Sequence, residues 1–223
     1  MARLELTTAA AAEILTLAAA KLHLRVTHDA DDSLITRLIS AATQVAQNYA
    51  CSKFINETYT LYLEDWGDVY VSNSYNLQGG YYDTLKGPNS FKYGGFYSKY
   101  TGLPQIVLPY APLSSVNSVK YYDSANAQQT ITSTDYNVLK FINQKGFIEF
   151  VDGYSLPGLY PRADAIEIEF VAGYGSAASN VPDAILQATL LILGQMYEKR
   201  EDSVSRLPKA SEYILDPYRI KTY

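Results

Sequence analysis

The hydrophobic period of this chain changes twice, and no other feature constrains its fold as much. Before Ala50, apolar residues recur at Leu34, Ile35, Leu38, Ile39, Ala42, Val45, Ala46 and Tyr49, the three-and-four spacing of an amphipathic helix. From Thr58 the spacing becomes two. The runs "TYTLYLED", "QIVLP", "SVNSVKYYD", "YNVLKFI", "GFIEFV" and "AIEIEFVAG" are rich in β-formers. After Asn180 the helical spacing returns. A face that alternates every second residue cannot share an element with a stripe of period 3.6, so three regions follow. The expected fold is α+β: a small helical bundle interrupted by an antiparallel β subdomain. Its expected parts are amino-terminal helices over 1–57, the β region over 58–172, a turn and long bundle helix over 173–205, and a tail over 206–223.

End signals sharpen these helices. Asp29, Asp31 and Asp32 place acidic groups at the start of a helix running from about Asp31 to Ala50, where the helix dipole favours negative charge. Thr16 is positioned to cap a shorter helix carrying Leu17, Ala20, Lys21 and Leu24. Pro182 and Asp183 suit the first turn of the long carboxy-terminal helix, Lys199 and Arg200 its last, and Ser179 or Asn180 is the expected cap. The tail "LPKASEYILDPYRIKTY" offers about two helical turns ended by Asp216 and Pro217.

On a wheel of about 100° per residue, Ile185, Leu186, Ala188, Leu190, Ile192, Leu193, Met196 and Tyr197 sweep roughly 200°, about twice an ordinary core-facing stripe. Such a helix is either buried on several sides or covered in part by another subunit. Neither arrangement leaves a catalytic surface there.

Tyrosine is in excess, with 21 residues against 7 Phe and 1 Trp. The ring offers apolar area and the hydroxyl tolerates water, which suits surfaces that become interfaces. Many of these tyrosines fall between Trp66 and Gly102, in a Gly-, Ser- and Asn-rich stretch whose Gly79–Gly80 and Gly94–Gly95 pairs mark turns. That stretch is expected to be a long projecting hairpin or loop, with Tyr70, Tyr75, Tyr81, Tyr82, Tyr93, Tyr97 and Tyr100 as its contact surface.

Charge and chemistry exclude several functions. The net charge is −5 and the basic residues are scattered, so the footprint of tight phosphate-backbone binding is missing. No apolar run reaches the roughly 20 residues of a membrane span, and the Ala-rich start lacks a signal peptide's basic region; a soluble chain made in the cytoplasm is expected. Cys51 stands alone, which excludes an intrachain disulfide and a multi-thiolate metal site and leaves packing as its expected role.

Four candidate sites yield to plainer readings. Gly173-Tyr174-Gly175-Ser176-Ala177-Ala178 matches the GxGxxA form of a dinucleotide turn, but Ser176 to Asn180 separate the second glycine from the helix, and no later strand completes a βαβ unit. The expected role is a turn with positive φ. His23 and His28 lie close together near the amino end and fit surface positions better than a catalytic pair, and "HDADD" lacks the spacing of a calcium loop, its aspartates fitting a helix cap better. Glu167 and Glu169 share one strand face, as a glycosidase pair might, but fit a solvated face opposite Ile166, Ile168 and Phe170 better. No enzyme activity, cofactor or metal is expected.

The order "LAAAKLHLRV", "DDSLITRLISAATQVAQNYACSKFINETYTLYL", "LPYAPLSSVNSVKYYD", "IEIEFVAGYGSAASNVPDAILQATLLILGQMYEKRED" and "LPKASEYILDPYR" resembles the head–tail connector, or adaptor, family of tailed bacteriophages. The likeness spans roughly residues 15–65 and 103–219. Two departures stand out: the 66–102 segment is longer than the family's usual connection, and Tyr160-Pro161 replaces a common Trp-Pro. The resemblance implies a virion structural protein assembled in the bacterial host cytoplasm. It implies a closed ring of about twelve copies in the neck, under the portal, through which DNA passes and beneath which the next neck or tail-completion protein docks. On that reading Ile185, Leu186, Leu190, Leu193 and Tyr197 pack the bundle and neighbouring subunits, while Tyr213, Leu215, Pro217, Tyr218 and Arg219 grip the portal. The competing reading is a virion carbohydrate- or receptor-binding module that uses the tyrosine-rich loop.

Overall fold

The computed structural model describes residues 2–66, 104–140, 145–199 and 207–220, and the backbone of 96 and 97. The chain divides into two compact units. One is Thr58–Ala172 with the amino-terminal strand; the other is Ala9–Glu57 with Gly173–Ile220.

The helical unit holds α1 (Leu17–Leu24), α2 (Asp32–Ala50), α3 (Asp183–Glu198) and α4 (Lys209–Leu215). Thr16 caps α1 as its sequence predicts, its hydroxyl accepting from the Ala19 N–H at 3.2 Å. Helix α2 turns Ile35, Ile39, Ala42, Ala46 and Ala50 inward, one residue per turn of a single face. Both α1 and α2 stop at a left-handed residue, Arg25 at φ 56° and Cys51 at φ 52°, whose N–H returns to the last turn. At the start of α3 the outcome differs from expectation. Asn180 accepts from the Ala177 N–H at 3.1 Å and closes a 3-10 turn over Ala178–Asn180, while Pro182 occupies the cap of α3 itself with no side-chain bond. Ile14, Leu15, Phe54, Ile55, Val181, Ile185, Ile192, Leu193 and Leu215 fill the core among the helices.

Among the described residues the β unit forms two sheets. The first orders β1 (Arg3–Thr8), β2 (Glu57–Leu63), β9 (Ile166–Ala172), β5 (Leu113–Tyr122) and β6 (Gln128–Thr130); the second orders β3 (Phe96–Tyr97), β4 (Pro104–Val107), β8 (Phe147–Phe150) and β7 (Tyr136–Leu139). Antiparallel pairing joins β1 to β2, β5 to both β6 and β9, and β8 to both β4 and β7. Strand β9 alternates strictly, burying Ile166, Ile168, Phe170 and Ala172 and turning Glu167 and Glu169 the other way. Leu61, Leu63 and Trp66 join Leu113, Val119, Ile148 and Phe150 in one core that both sheets share. The Trp66 indole N–H donates to the Pro157 carbonyl at 2.9 Å, so its buried polar atom is satisfied.

Two sequence expectations are corrected here. Residues 1–57 are not all helical, because Arg3–Thr8 forms an edge strand on β2. Its Leu4 and Leu6 alternate, but Leu6 is half-exposed, so the short strand shows almost no buried face. Cys51 does not pack in the core; it is exposed at the end of α2, in a backbone conformation more usual for glycine.

Candidate functional site

The glycine turn that most resembles a phosphate cradle is occupied by the chain's own backbone. The Tyr174 N–H donates to the Phe54 carbonyl at 3.1 Å, the Asn56 N–H donates to the Gly175 carbonyl at 2.9 Å, and Ile55 bridges Gly175. Gly173 has φ 144°, and a Cβ there would stand 2.6 Å from the Asn56 nitrogen. A Cβ on Gly175 would meet the Asn180 side chain at 2.4 Å. The glycines are there so that residues 54–56 can approach, and two N–H groups that a phosphate would need, those of Tyr174 and Ala177, are already donating inside the unit.

The two glutamates of β9 are likewise engaged. Glu169 accepts from the Asn117 amide at 2.7 Å and Glu167 from the Gln128 amide at 3.0 Å, forming cross-strand polar pairs on the half-exposed sheet face. Among the described residues no three His, Cys, Asp or Glu side chains gather as a metal site, and no helix is long and apolar enough to cross a membrane.

The predicted subunit face on α3 separates into two kinds of residue. Ile185 and Leu193 are fully buried inside the helical unit, where they pack the bundle. Leu186, Leu190 and Tyr197 are half-buried and retain some. The wide apolar arc follows from the packing, since α1, α2 and α4 all lie against α3. Tyr197 also donates its hydroxyl to the Asp31 carboxylate at the head of α2.

The tail divides in the same way. Leu215 is completely buried among the helices and Ile220 nearly so, and the Ile220 N–H donates to the Ala50 carbonyl at 2.8 Å. The Tyr49 hydroxyl donates to Asp216 at 2.6 Å, a bond that, followed by burial, raises the hydroxyl's pKa; the Arg219 guanidinium lies 5.2 Å above the same ring. The segment therefore folds onto its own bundle. What it leaves outside is Tyr213, at 81% exposure, with Pro217 and Arg219 exposed and Tyr218 half-buried beside it.

Of the tyrosine-rich contact surface, Tyr70, Tyr75, Tyr81, Tyr82, Tyr93 and Tyr100 lie outside the described residues. Tyr97 is placed by its backbone alone, paired with Pro104. Elsewhere tyrosine has also gone into cores: Tyr59 and Tyr136 are buried, Tyr154 stacks on Phe150 with centroids 5.3 Å apart, and burial pushes the Tyr174 hydroxyl up to about 12. The excess is thus partly a packing choice. An exposed residue that the sequence reading missed is Leu22 of α1, at 81% exposure. Its spacing relative to Leu17, Ala20 and Leu24 puts it off their inward face, a signal that was available on the wheel.

Comparison with known proteins follows the same lines as the fold. Residues 14–81 match a family model described as Phage gp6-like head-tail connector protein. Among solved structures, a chain in the neck of an empty GTA particle computed with C6 symmetry aligns at a TM-score of 0.70 and 20% identity, covering 99% of this chain and 97% of that one. A chain in the virion of the native gene transfer agent particle gives 0.69 and 22%, covering 99% and 96%. One in the neck of the native particle computed with C12 symmetry gives 0.68 and 21%, covering 99% and 97%. No curated protein matches the sequence. The family match bears out the resemblance to head–tail connectors, and the structural matches bear out the α+β fold over nearly the whole chain.

Proposed function

We propose that this chain is a structural head–tail connector: a neck protein that joins a phage-type capsid to its tail by forming a closed ring with copies of itself. The observation that carries this reading is the match of residues 14–81 to the connector family, which covers α1, α2 and β2, the stretch where the helical period gives way to the β period. Necks containing chains of this fold have been computed with C6 and C12 symmetry, which supports a ring and, more finely, twelve copies. The role is mechanical, with no catalytic step.

The finer assignments follow from which side chains are still uncovered. Leu186, Leu190 and Tyr197 on α3 supply the subunit contact, and Tyr213, Pro217, Tyr218 and Arg219 supply the contact with the portal. The opposite rim receives the next neck or tail-completion protein. A net charge of −5 keeps passing DNA from adhering to the channel wall.

The test is to mix purified full-length chain with its portal protein and measure mass by native mass spectrometry, followed by imaging of the complex. A ring of defined copy number seated on the portal is the expected result. A chain that stays monomeric with portal present, at concentrations well above micromolar, overturns the reading.

A further inference from the structure

Nothing among the described residues calls for glycine at 194. It stands in regular helix inside α3, where glycine weakens a helix relative to alanine. A Cβ there would meet only the His23 ring, at 3.6 Å, an ordinary van der Waals distance. Gly173 and Gly175 differ, since at those positions a Cβ would collide with atoms of the same chain. What Gly194 leaves is a notch. With Gln187, Leu190 and Leu191 it forms the i, i+3, i+4, i+7 corners of a hole on the side of α3 away from its buried residues, and a side chain from a facing helix fits such a hole.

Helix α1 carries a matching knob. Leu22 is 81% exposed, and the outward row it belongs to, Ala18, Leu22 and Arg25, is exposed throughout. Ala18 is small enough to let that face lie close to another helix. Charge then selects the direction. Among the described residues Arg25 has no ion-pair partner, and neither has Glu198, which is exposed one turn beyond Gly194. Leu22 to Arg25 spans about 4.5 Å along a helix axis and Gly194 to Glu198 about 6 Å. An α1 face laid parallel to α3 with Leu22 over the notch therefore brings the guanidinium to the carboxylate, within the reach of their flexible stems.

We infer that the notch at Gly194 receives the outer face of α1 from a neighbouring copy, with the neighbour's Leu22 as the knob and its Arg25 against Glu198. The inference rests on the ring reading given above. Knob, notch and both unpaired charges belong to one chain, so a second copy supplies every complementary part, and a head-to-tail contact would cover both faces on each copy of a closed ring. The notch also adjoins Leu190, already assigned to the subunit contact, so the two surfaces are continuous.

Two sets of variants of the full-length chain, mixed with its portal protein and followed by native mass spectrometry over a concentration series, test it. Gly194→Ala fills the notch while improving helix propensity. The monomer should melt as high as wild type or up to about 4 °C higher, while ring association weakens about tenfold. Unchanged association overturns the proposal. So does a monomer that melts lower than wild type, because the glycine then serves its own fold. Arg25→Glu and Glu198→Arg, both at exposed positions, should each weaken association by about three- to tenfold, and the double variant should recover most of the loss. Singles without effect, or a double no better than either single, separate the two charges and end the proposal. Variants that keep the ring but loosen its seat on the portal assign this face to the portal and end it too. In all these failures the wild-type ring still forms and the connector reading stands; a wild-type chain that forms no ring overturns both.

Discussion

Helices α3 and α4 pack against each other, yet they dispose of their apolar side chains in opposite ways. Over Asp183–Glu198, α3 has Ile185, Ala188, Ile192 and Leu193 inside, because helices cover it on several sides. Over Lys209–Leu215, the shorter α4 sinks Leu215 and leaves Tyr213 almost bare. The apolar content of a helix therefore says how much surface has to be covered, and the neighbours say how much already is. An assembly contact has to come from the remainder, which on these helices means Leu186, Leu190, Tyr197 and Tyr213 rather than the centre of the wide arc.

The hardest way to break that contrast is Leu193→Asp. A carboxylate at a fully enclosed position with no partner costs on the order of 5 kcal/mol or more, comparable to the whole stability of a domain. The variant should lose its cooperative melt by circular dichroism. A well-folded monomer that merely stops assembling returns Leu193 to the subunit surface. Leu215→Ala addresses α4 and should cost about 2–5 kcal/mol, seen as a lower urea midpoint at unchanged slope. If instead stability holds and only portal attachment suffers, Leu215 belongs to the docking surface after all.

A third variant moves from the helices to the turn that leads into α3. Gly173→Ala places a Cβ against the backbone of Asn56 at a φ that side chains rarely adopt, and should cost about 1–3 kcal/mol. Equal stability to wild type in the same urea titration shows that residues 54–56 can move aside. Tyr49→Phe is milder: it removes the bond to Asp216 at a half-exposed site and should cost about 0.5–1.5 kcal/mol. A larger loss would mean that the tail is held mainly through this one hydroxyl.

Most of the secondary structure was legible because burial imposes a period on the sequence. Strand β9 and helix α2 each have one face inside, and their patterns could be read directly. Strands β1 and β6 were missed for the converse reason: their residues are nearly all exposed, so no pattern of burial is written into them. The glycine turn was recognised as a turn, but its reason, the approach of residues 54–56 from well over a hundred positions away, lies in no local pattern. The site was less legible than the fold. A helical wheel cannot tell Leu193 from Leu190, since both are leucines on one arc; what separates them is the position of the other helices, which only the folded chain supplies.

The finest test of the contrast is Tyr213→Ser. The ring is 81% exposed and makes no hydrogen bond within the described residues, so its removal should alter monomer stability by less than about 0.5 kcal/mol. A large aromatic left in water at a helix surface acquires its value when another molecule desolvates it, where truncation commonly costs about 2 kcal/mol of binding or more. The variant should therefore melt like wild type and bind portal at least tenfold more weakly in a titration followed by light scattering. Unaltered binding removes Tyr213 from the proposed contact and leaves Pro217, Tyr218 and Arg219 as its candidates. Weakened binding together with a lowered melt would mean that α4 leans on this ring, contrary to its exposure. Only loss of binding at constant stability keeps the two helices as different as their burial makes them.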